Sequence, residues 1–441
     1  MINNSISFCI ATAKNEKEYV LLLLRSLRDN TDITKHEIVI FIDSDNQNTY
    51  EALLQEQQNM SNIKICKNPY DRPIGSQRNV SVLFNAAKND IVCYLQSDMV
   101  VGKDIDKYIS ENMISEDIVL TCARIEPPLH PPGSEKIIID LGVTPEEFQY
   151  DKFNSFVSNL QAENRPNIEG NFAPFALYKK SWLDKLGGFD TQFRSSREDD
   201  DMAIRMNLSG FKMIQSWNAC VYHFTCVSSR GINWFKSNPE EREVVQQLQQ
   251  LADAEEYKKF IRKWGKITRV ATPVYDIAIF IDVDRYMTTA DFEFLGKIEL
   301  FCKRLYLNKK DVAEEVYRRS HFYNKHYNNL RWNYTEEYWD SVKEFFNPEA
   351  LDGHIQFLTN PKDATNDILI NCKFSELIKS MDEKRITFLE NINQVIYDNE
   401  IGQYVFTPFT IDVNRKLDLS QSYIKINNTA LLLGDNTLEF K

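Results

Sequence analysis

The sequence contains no run of about 20 apolar residues, the length that a membrane-spanning helix needs. The N-terminus also lacks the basic and then apolar order of a signal peptide, because the apolar run at 6–10 is short and typical of a strand. Neither of the common glycine-rich phosphate-binding patterns is present, and no internal repeat or low-complexity tract is found. We therefore expect a globular protein of the cytoplasm.

Basic charge and paired cysteines are also scarce. The formal net charge of -12 argues against a general nucleic-acid-binding protein. The eight cysteines have no CxxC spacing, which argues against a zinc site or a disulfide framework. Cys9, Cys93 and Cys122 lie in apolar, strand-like runs and are predicted to be reduced core residues. The length of 441 residues indicates two domains, which we place at 1–235 and 236–441.

The first domain alternates short apolar runs with helical patterns. Such βαβα order predicts an α/β fold with a Rossmann-type, mainly parallel sheet and helices on both faces. The segment 126–170 begins with a proline-rich stretch and is expected to be irregular and partly helical. The predicted strands are 6–11, 37–42, 63–66, 90–95, 118–123 and 220–222, and the predicted helices are 21–27, 49–58, 75–87, 182–186 and 202–208, while 172–178 has no assigned type.

Polar residues follow the predicted strands at the edge where ligands bind in open parallel sheets. Thr12 and Asn15 come after the first strand, Asp43 and Asp45 after the second, and Asp98 after the fourth. Aspartate and asparagine are also ordinary turn residues. Their recurrence at one edge favours a ligand site over a set of unrelated turns.

Four consecutive carboxylates at 198–201 run directly into an apolar helical pattern that ends at Gly210. Acidic residues are favoured at a helix N-terminus by the helix dipole, so a purely structural role is one interpretation. The other interpretation is catalytic, with Asp199 as a general base and Asp200 or Asp201 as alternatives. If a nucleotide diphosphate binds here, a divalent metal held by Asp98, with His223 as a further ligand, is expected to neutralise its phosphates.

These landmarks, in this order, resemble the family 2 glycosyltransferases, which have the GT-A fold, over residues 5–230. The segment 94–99 resembles the DXD strand, 187–190 the GGFD-like element, and 198–205 the ED motif that carries the base. Gln96 stands where the family has the first aspartate of DXD. The resemblance implies three groups of site residues: catalytic Asp199, Glu198 and Asp201; donor-binding Thr12, Asn15, Glu16, Asp43, Asp45, Arg78, Asn79, Gln96 and Ser97, with Asp71 and Arg72 as further contacts; and the metal ligands Asp98 and His223.

The resemblance further implies a metal-dependent enzyme of glycan biosynthesis that uses Mn²⁺ or Mg²⁺. It would move a sugar from a nucleotide sugar, expected to be a UDP-sugar, to an acceptor hydroxyl with inversion. The acceptor would be a glycan, a lipid-linked saccharide or a protein. A retaining transferase remains an alternative, as does a non-catalytic carbohydrate-binding protein with a degenerate donor site, which Gln96 favours. A nucleotidyltransferase is disfavoured because 12–16 lacks a glycine- and arginine-rich loop.

The second domain carries no motif that we can assign, and it is predicted to be mixed α/β. A role in acceptor recognition or assembly is expected. The segment 297–331 interleaves basic and aromatic residues, which favours a solvated helix pair over a surface that touches an anionic membrane or acceptor. The predicted strands are 277–281, 355–358, 368–370, 404–411 and 422–426, and a charged helix is predicted at 240–264.

Overall fold

The chain divides into two compact units, Met1–Gln247 with Ile424–Lys441, and Leu248–Tyr423. No helix in the described ranges is both long and apolar enough to cross a bilayer. The computed structural model describes residues 5–69, 76–129, 132–170, 174–190, 193, 197–225, 227, 256, 259–260, 263–264, 276–320, 355–390, 400–414 and 425.

The described part of the first unit forms one sheet with helices packed against it. Its strands are β1 (Ile6–Thr12), β2 (Glu37–Ile42), β3 (Ile63–Lys67), β4 (Ile91–Gln96), β5 (Met99–Val101), β6 (Ile118–Glu126), β7 (Lys136–Ile138), β8 (Ile168–Glu169), β9 (Phe175–Tyr178) and β10 (Lys212–His223). Its helices are α1 (Lys17–Asn30), α2 (Thr49–Asn59), α3 (Ser76–Ala86), α4 (Ile105–Asn112), α5 (Tyr150–Ala162), α6 (Lys179–Leu186) and α7 (Glu198–Leu208), with a 3-10 helix at Ile33–Lys35.

The strand order is β3-β2-β1-β4-β9-β6-β10-β5, with β7 beside β6 and β8 beside β10. The pairs β1–β2, β1–β4, β2–β3 and β6–β10 are parallel, which confirms the mainly parallel sheet. Strand β9 is antiparallel to both β4 and β6, and β5 is antiparallel to β10. The continuous apolar run of β2 is buried along its whole length, as expected for a strand covered on both faces.

Alternate side chains of β1 enter the two layers on either side of the sheet. Phe8 and Ile10 belong to the cluster that includes Leu23 of α1 and Leu53 of α2. Cys9, between them, is fully buried, and its Sγ lies 3.9 Å from the carbonyl oxygen of Leu83 in α3. Cys9, Cys93 and Cys122 are all reduced and buried, as predicted.

Two features of the first unit differ from the predictions, and a third agrees with them. Strand β10 is twelve residues long, whereas only 220–222 was predicted as a strand. Its first half, Lys212–Ser216, also pairs with β6, and the register is irregular between Ser216 and Cys220. The segment 126–170 is partly helical, as predicted, because it contains α5, whose buried Phe153 and Val157 belong to the core cluster with Tyr222 of β10. Strand β5 was not predicted, because three residues are too few to show a strand period.

The described residues of the second unit form a six-stranded sheet in the order β13-β12-β11-β14-β16-β15. This confirms a mixed α/β fold. Its strands are β11 (Ile277–Asp282), β12 (Arg304–Leu307), β13 (Ile355–Phe357), β14 (Ile368–Lys373), β15 (Gly402–Phe406) and β16 (Phe409–Val413). Its helices are α8 (Thr289–Ile298), α9 (Lys310–Ser320), α10 (Phe374–Ser380) and α11 (Glu383–Glu390), with 3-10 helices at Glu299–Phe301 and Pro361–Asp363.

Two predictions for the second unit were wrong. The described part of the segment 297–331, which ends at 320, is not a pair of solvated helices, because β12 lies within it and Leu305 and Leu307 are buried in the core beside β11. The single strand predicted at 404–411 is a hairpin of β15 and β16, in which Phe406 pairs with Phe409. The strand predicted at 422–426 lies outside the described residues apart from 425, and so does most of the helix predicted at 240–264.

Candidate functional site

The carboxyl ends of β4, β6 and β10 bring Asp98, Glu126 and His223 together. Strand β4 ends at Gln96, and the chain turns through Ser97 and Asp98 into β5, where His223 pairs with Met99. The backbone N–H of Phe224 donates to the carbonyl oxygen of Asp98 at 3.0 Å. Asp98 therefore sits in a turn that is held to the end of β10, and only 8% of its surface is exposed.

His223 bridges two carboxylates. Its Nδ1 lies 3.1 Å from Oε1 of Glu126, and its Nε2 lies 3.7 Å from Oδ2 of Asp98. An ionised carboxylate can only accept, so the proton of a neutral imidazole belongs on Nδ1. The lone pair of Nε2 then faces Asp98. Burial raises the pKa of the Asp98 carboxyl above its usual value, and the charge of Glu126 adds to this effect.

Glu126 is kept ionised by three cationic or donor groups. Its Oε2 accepts a hydrogen bond from Nζ of Lys136 at 3.0 Å, and Nη1 of Arg124 lies 3.5 Å from Oε1. Burial acts to raise the pKa of Glu126, but the hydrogen bonds from His223 and Lys136 and the charge of Arg124 lower it to about 2. Glu126 was missed from the sequence because it precedes a proline-rich stretch. The available signal was its place at the carboxyl end of a buried strand.

Asp98 and His223 fit a divalent cation with oxygen and nitrogen ligands. Two atoms bound to one ion at about 2.1 Å lie at most about 4.2 Å apart, and Nε2 and Oδ2 are within that limit. In the described part of the chain, no group of three or more His, Cys, Asp or Glu side chains is arranged to hold a metal. Magnesium-type ions commonly take one or two protein ligands and complete their shell with water and phosphate oxygens.

Glu16 supports the turn that carries Asp98. Its Oε2 accepts hydrogen bonds from Oγ of Ser97 at 2.6 Å and from the backbone N–H of Ala13 at 2.7 Å. Burial raises the pKa of Glu16 to about 7, against the lowering effect of the Ser97 hydrogen bond. Tyr94 lies nearby, and its pKa is raised by burial and by the charges of Glu198, Asp98 and Glu16.

The predicted donor residues after β1 and β2 lie in loops that are joined to one another by hydrogen bonds. Nδ2 of Asn68 donates to the carbonyl oxygen of Asp43 at 2.9 Å and to its Oδ1 at 3.1 Å. Nδ2 of Asn46 donates to Oδ1 of Asn15 at 2.9 Å, and Asn15 has a left-handed φ of 65°. Thr12 is buried at the end of β1, where its carbonyl oxygen accepts from the N–H of Asp43.

Asp45 stabilises the start of α2. Its carboxylate accepts from the backbone N–H groups of Gln47, Thr49 and Tyr50, each at 3.0 Å. Burial acts to raise the pKa of Asp45, but these backbone hydrogen bonds lower it to about 2. Side-chain capping of this kind satisfies N–H groups that have no partner within the helix.

Among the remaining predicted donor residues, the structure describes the side chain of Gln96 but not those of Arg78, Asn79, Asp71 and Arg72. Gln96 is the last residue of β4 and is half-buried, beside Ala11 of β1. Arg78 and Asn79 belong to the first turn of α3, and their side chains lie outside the part of the chain that is described. Asp71 and Arg72 also lie outside the described residues.

The three aspartates at the start of α7 have different environments. Asp199 is exposed, and its Oδ1 accepts from the N–H of Asp200 at 2.8 Å. Oδ2 of Asp200 lies 3.2 Å from Nη1 of Arg197. Asp201 is fully buried and accepts from Nε of Arg205 at 2.8 Å, so it cannot meet an acceptor without unfolding the turn. Among Asp199, Asp200 and Asp201, Asp199 is therefore the best exposed to act as a base.

Several solved structures resemble the chain weakly. GalNAc-T7, solved with UDP, GalNAc and Mn²⁺, is 16% identical with a TM-score of 0.37, over 49% of this chain and 43% of its own. TarS of S. aureus, residues 1–349 with UDP, is 14% identical with a TM-score of 0.37, over 59% and 79%. The mannosyltransferase PcManGT from Pyrobaculum calidifontis, with GDP-Man and Mn²⁺, is 14% identical with a TM-score of 0.38, over 58% and 64%. The chain thus spans less than half of GalNAc-T7.

The sequence itself matches one family model. No curated protein sequence matches the chain. Residues 8–187 match the model of Glycosyl transferase family 2, a range that includes Asp43 and Asp98 and ends before Asp199 and His223. The N-terminal unit therefore contains a family 2 glycosyltransferase domain.

Proposed function

We propose that the protein transfers a sugar from a nucleotide sugar, specifically a UDP-sugar, to an acceptor hydroxyl, with a divalent cation at Asp98 and His223. The carrying observation is the 3.7 Å separation between Nε2 of His223 and Oδ2 of Asp98, at the carboxyl edge of a family 2 glycosyltransferase domain. A Mn²⁺ or Mg²⁺ ion, when bound, supplies positive charge that stabilises the departing diphosphate.

The protein's own residues then divide the remaining tasks. Asp43, fixed by Asn68, is assigned to the nucleobase, and the amide of Gln96 is assigned to a ribose hydroxyl. Asp199 takes the proton of the acceptor hydroxyl, with Glu198 as the alternative base. The acceptor oxygen bonds to the anomeric carbon as the bond from that carbon to the diphosphate oxygen breaks. Attack opposite the leaving group inverts the configuration.

The metal site is tested by calorimetry with UDP. Wild-type protein should bind UDP in Mn²⁺ and lose most of that affinity in EDTA, since no glycine-rich phosphate loop is present in the sequence to hold the diphosphate. Asp98→Asn should show the same loss in Mn²⁺. Asp104→Asn is the matched control, because Asp104 has a left-handed φ of 58° that asparagine tolerates. Equal UDP affinity in Mn²⁺ and EDTA would contradict the proposal.

The catalytic role is tested by a screen of nucleotide sugars for slow, metal-dependent hydrolysis. Wild-type protein should release the nucleoside diphosphate from its true donor, whereas a non-catalytic carbohydrate-binding protein would release none from any. The anomeric configuration of a transfer product, read by NMR, separates inversion from retention.

The second unit is proposed to select the acceptor or to support assembly. The residues assigned to donor and base all precede 235, and the second unit has its own sheet and core. Replacing Leu248–Tyr423 by a short flexible linker should keep UDP binding and donor hydrolysis but abolish transfer to the acceptor. Loss of UDP binding in a well-folded variant would show that the second unit completes the donor site.

A further inference from the structure

We propose that Glu126 is a positioning residue that fixes the tautomer and orientation of His223, so that Nε2 is presented to the metal site. This inference rests on the proposed function, because it concerns how the chain prepares that same site. Glu126 would act through His223 alone, without touching the donor or the cation.

The geometry carries the assignment. His223 and Glu126 end the neighbouring parallel strands β10 and β6, in which Tyr222 pairs with Ile125. The imidazole and the carboxylate therefore stand on rigid backbone, and the distance of 3.1 Å between Nδ1 and Oε1 is that of a hydrogen bond. The glutamate side chain is 2% exposed, so water does not compete for this bond.

The other contacts of Glu126 leave it suited to orient His223. Its Oε2 accepts from Nζ of Lys136 at 3.0 Å, while Nη1 of Arg124 lies 3.5 Å from Oε1. These two cations stabilise the ionised carboxylate, which can only accept a hydrogen bond. His223 must then donate from Nδ1, and its Nε2 is left with a lone pair for a cation. Histidines that bind metals commonly donate their other N–H to a carboxylate in this way.

Among the described residues, Glu126 is the hydrogen-bond partner that holds the His223 ring, and its removal leaves the ring without one. Free histidine side chains in water favour the proton on Nε2, which would block that atom as a ligand. The separation of 3.7 Å between Nε2 and Oδ2 of Asp98 is too long for a hydrogen bond that would hold the ring by itself. We therefore expect Glu126→Ala to weaken Mn²⁺ binding by about 10- to 100-fold, the usual effect of losing such a partner.

The test reads the tautomer directly, in full-length, metal-free protein labelled with ¹⁵N-histidine. Long-range ¹H–¹⁵N NMR should show His223 protonated on Nδ1, with its signals identified from His223→Gln. Glu126→Ala should move the proton to Nε2. Glu126→Gln keeps an oxygen acceptor and should retain the Nδ1 proton. Glu135→Ala is the matched control, because Glu135 lies 3.6 Å from Arg124 and has no contact with His223.

Mn²⁺ affinity, measured by calorimetry or electron paramagnetic resonance, is the second readout. It should fall in Glu126→Ala and stay near wild type in Glu135→Ala. A proton on Nε2 in wild-type protein, or unchanged Mn²⁺ affinity in a folded Glu126→Ala, would overturn the inference. If Glu126→Ala does not fold, the inference is tested by the His223 tautomer in wild-type protein and in Glu126→Gln, both of which should carry the proton on Nδ1. A wild-type protein that binds no Mn²⁺ but is protonated on Nδ1 would contradict the proposed metal site and still support positioning by Glu126.

Discussion

Asp201 and Arg205 form an ion pair, with 2.8 Å between Oδ2 and Nε, in which neither side chain is exposed to solvent. Arg205 also donates from Nη1 to the carbonyl oxygen of Leu186 at 3.0 Å. Leu186 is the last residue of α6, and Gly187 closes that helix with a left-handed φ of 68°. The pair therefore joins the acidic start of α7 to the C-terminus of α6, and one carboxylate of the acidic run serves the fold.

Asp201→Asn should destabilise the protein by about 3–5 kcal/mol, because it leaves the buried charge of Arg205 uncompensated. Urea denaturation followed by circular dichroism measures this loss. Asp199→Asn is the matched control, because the same change two residues earlier is made at an exposed side chain and should leave the unfolding free energy unchanged. Wild-type stability with lost transfer in Asp201→Asn would instead assign the base to Asp201.

Asp199→Asn should lower turnover by about 100-fold or more while leaving UDP affinity unchanged. The base acts on the acceptor, so its loss affects the transition state and spares the donor complex. Steady-state kinetics with the identified donor and calorimetry with UDP measure the two effects. Wild-type turnover in Asp199→Asn, together with a large loss in Glu198→Gln, would move the role to Glu198.

Glu16 should make stability fall as pH rises from about 4.5 to 7. Its pKa is raised from 4.5 to about 7 in the folded protein, so the folded state keeps a proton that the unfolded state releases across this window. The slope contributed by one such group is at most about 1.4 kcal/mol per pH unit. The contribution is fully present below pH 4.5 and is lost as pH passes 7.

Chemical denaturation in EDTA at several pH values checks this expectation. Glu16→Gln should flatten the fall in stability between pH 5 and 8. Glu18→Gln, at a side chain that is 58% exposed, removes the same charge nearby and should leave the slope as in wild type. An unchanged slope in Glu16→Gln would mean that Glu16 is ionised throughout this range in the folded protein.

Asp45→Ala should lower the unfolding free energy by about 1 kcal/mol, the usual cost of losing a side chain that caps a helix start. Asp45→Asn, which retains an oxygen acceptor, should cost less. UDP affinity should stay unchanged in both, because the carboxylate is already engaged by the backbone of α2. A large loss of UDP affinity with unchanged stability would restore Asp45 to the donor site.

Much of the first unit was predictable because buried parallel strands are continuous apolar runs. The strand Glu37–Ile42 was predicted with its exact bounds, and β1, β3 and β4 within one residue at either end. Short or antiparallel strands left weaker signals. Strand β9 inserts between β4 and β6, and no local pattern states which strands a segment will pair with.

The candidate site shows the same division. The sequence alone places Asp98 and His223 after strands, and the resemblance relates them to a metal site. Only the tertiary structure brings Glu126, 97 residues away from His223, within 3.1 Å of its ring. Which strand ends come into contact depends on the order of the strands in the sheet. That order is set by pairing between strands that are far apart in the sequence, so the local sequence does not reveal it.

The acidic run at the start of α7 shows most clearly what the sequence determines and what the tertiary structure determines. The sequence by itself determined that carboxylates at 198–201 begin a helix, because the apolar pattern that follows has a helical period and the helix dipole favours negative charge there. It did not distinguish Asp199 from Asp201. Tertiary packing decided that, because a helix turns by about 100° per residue and two positions along it face nearly opposite sides. Asp201 thus faces the buried Arg205, and Asp199 faces solvent.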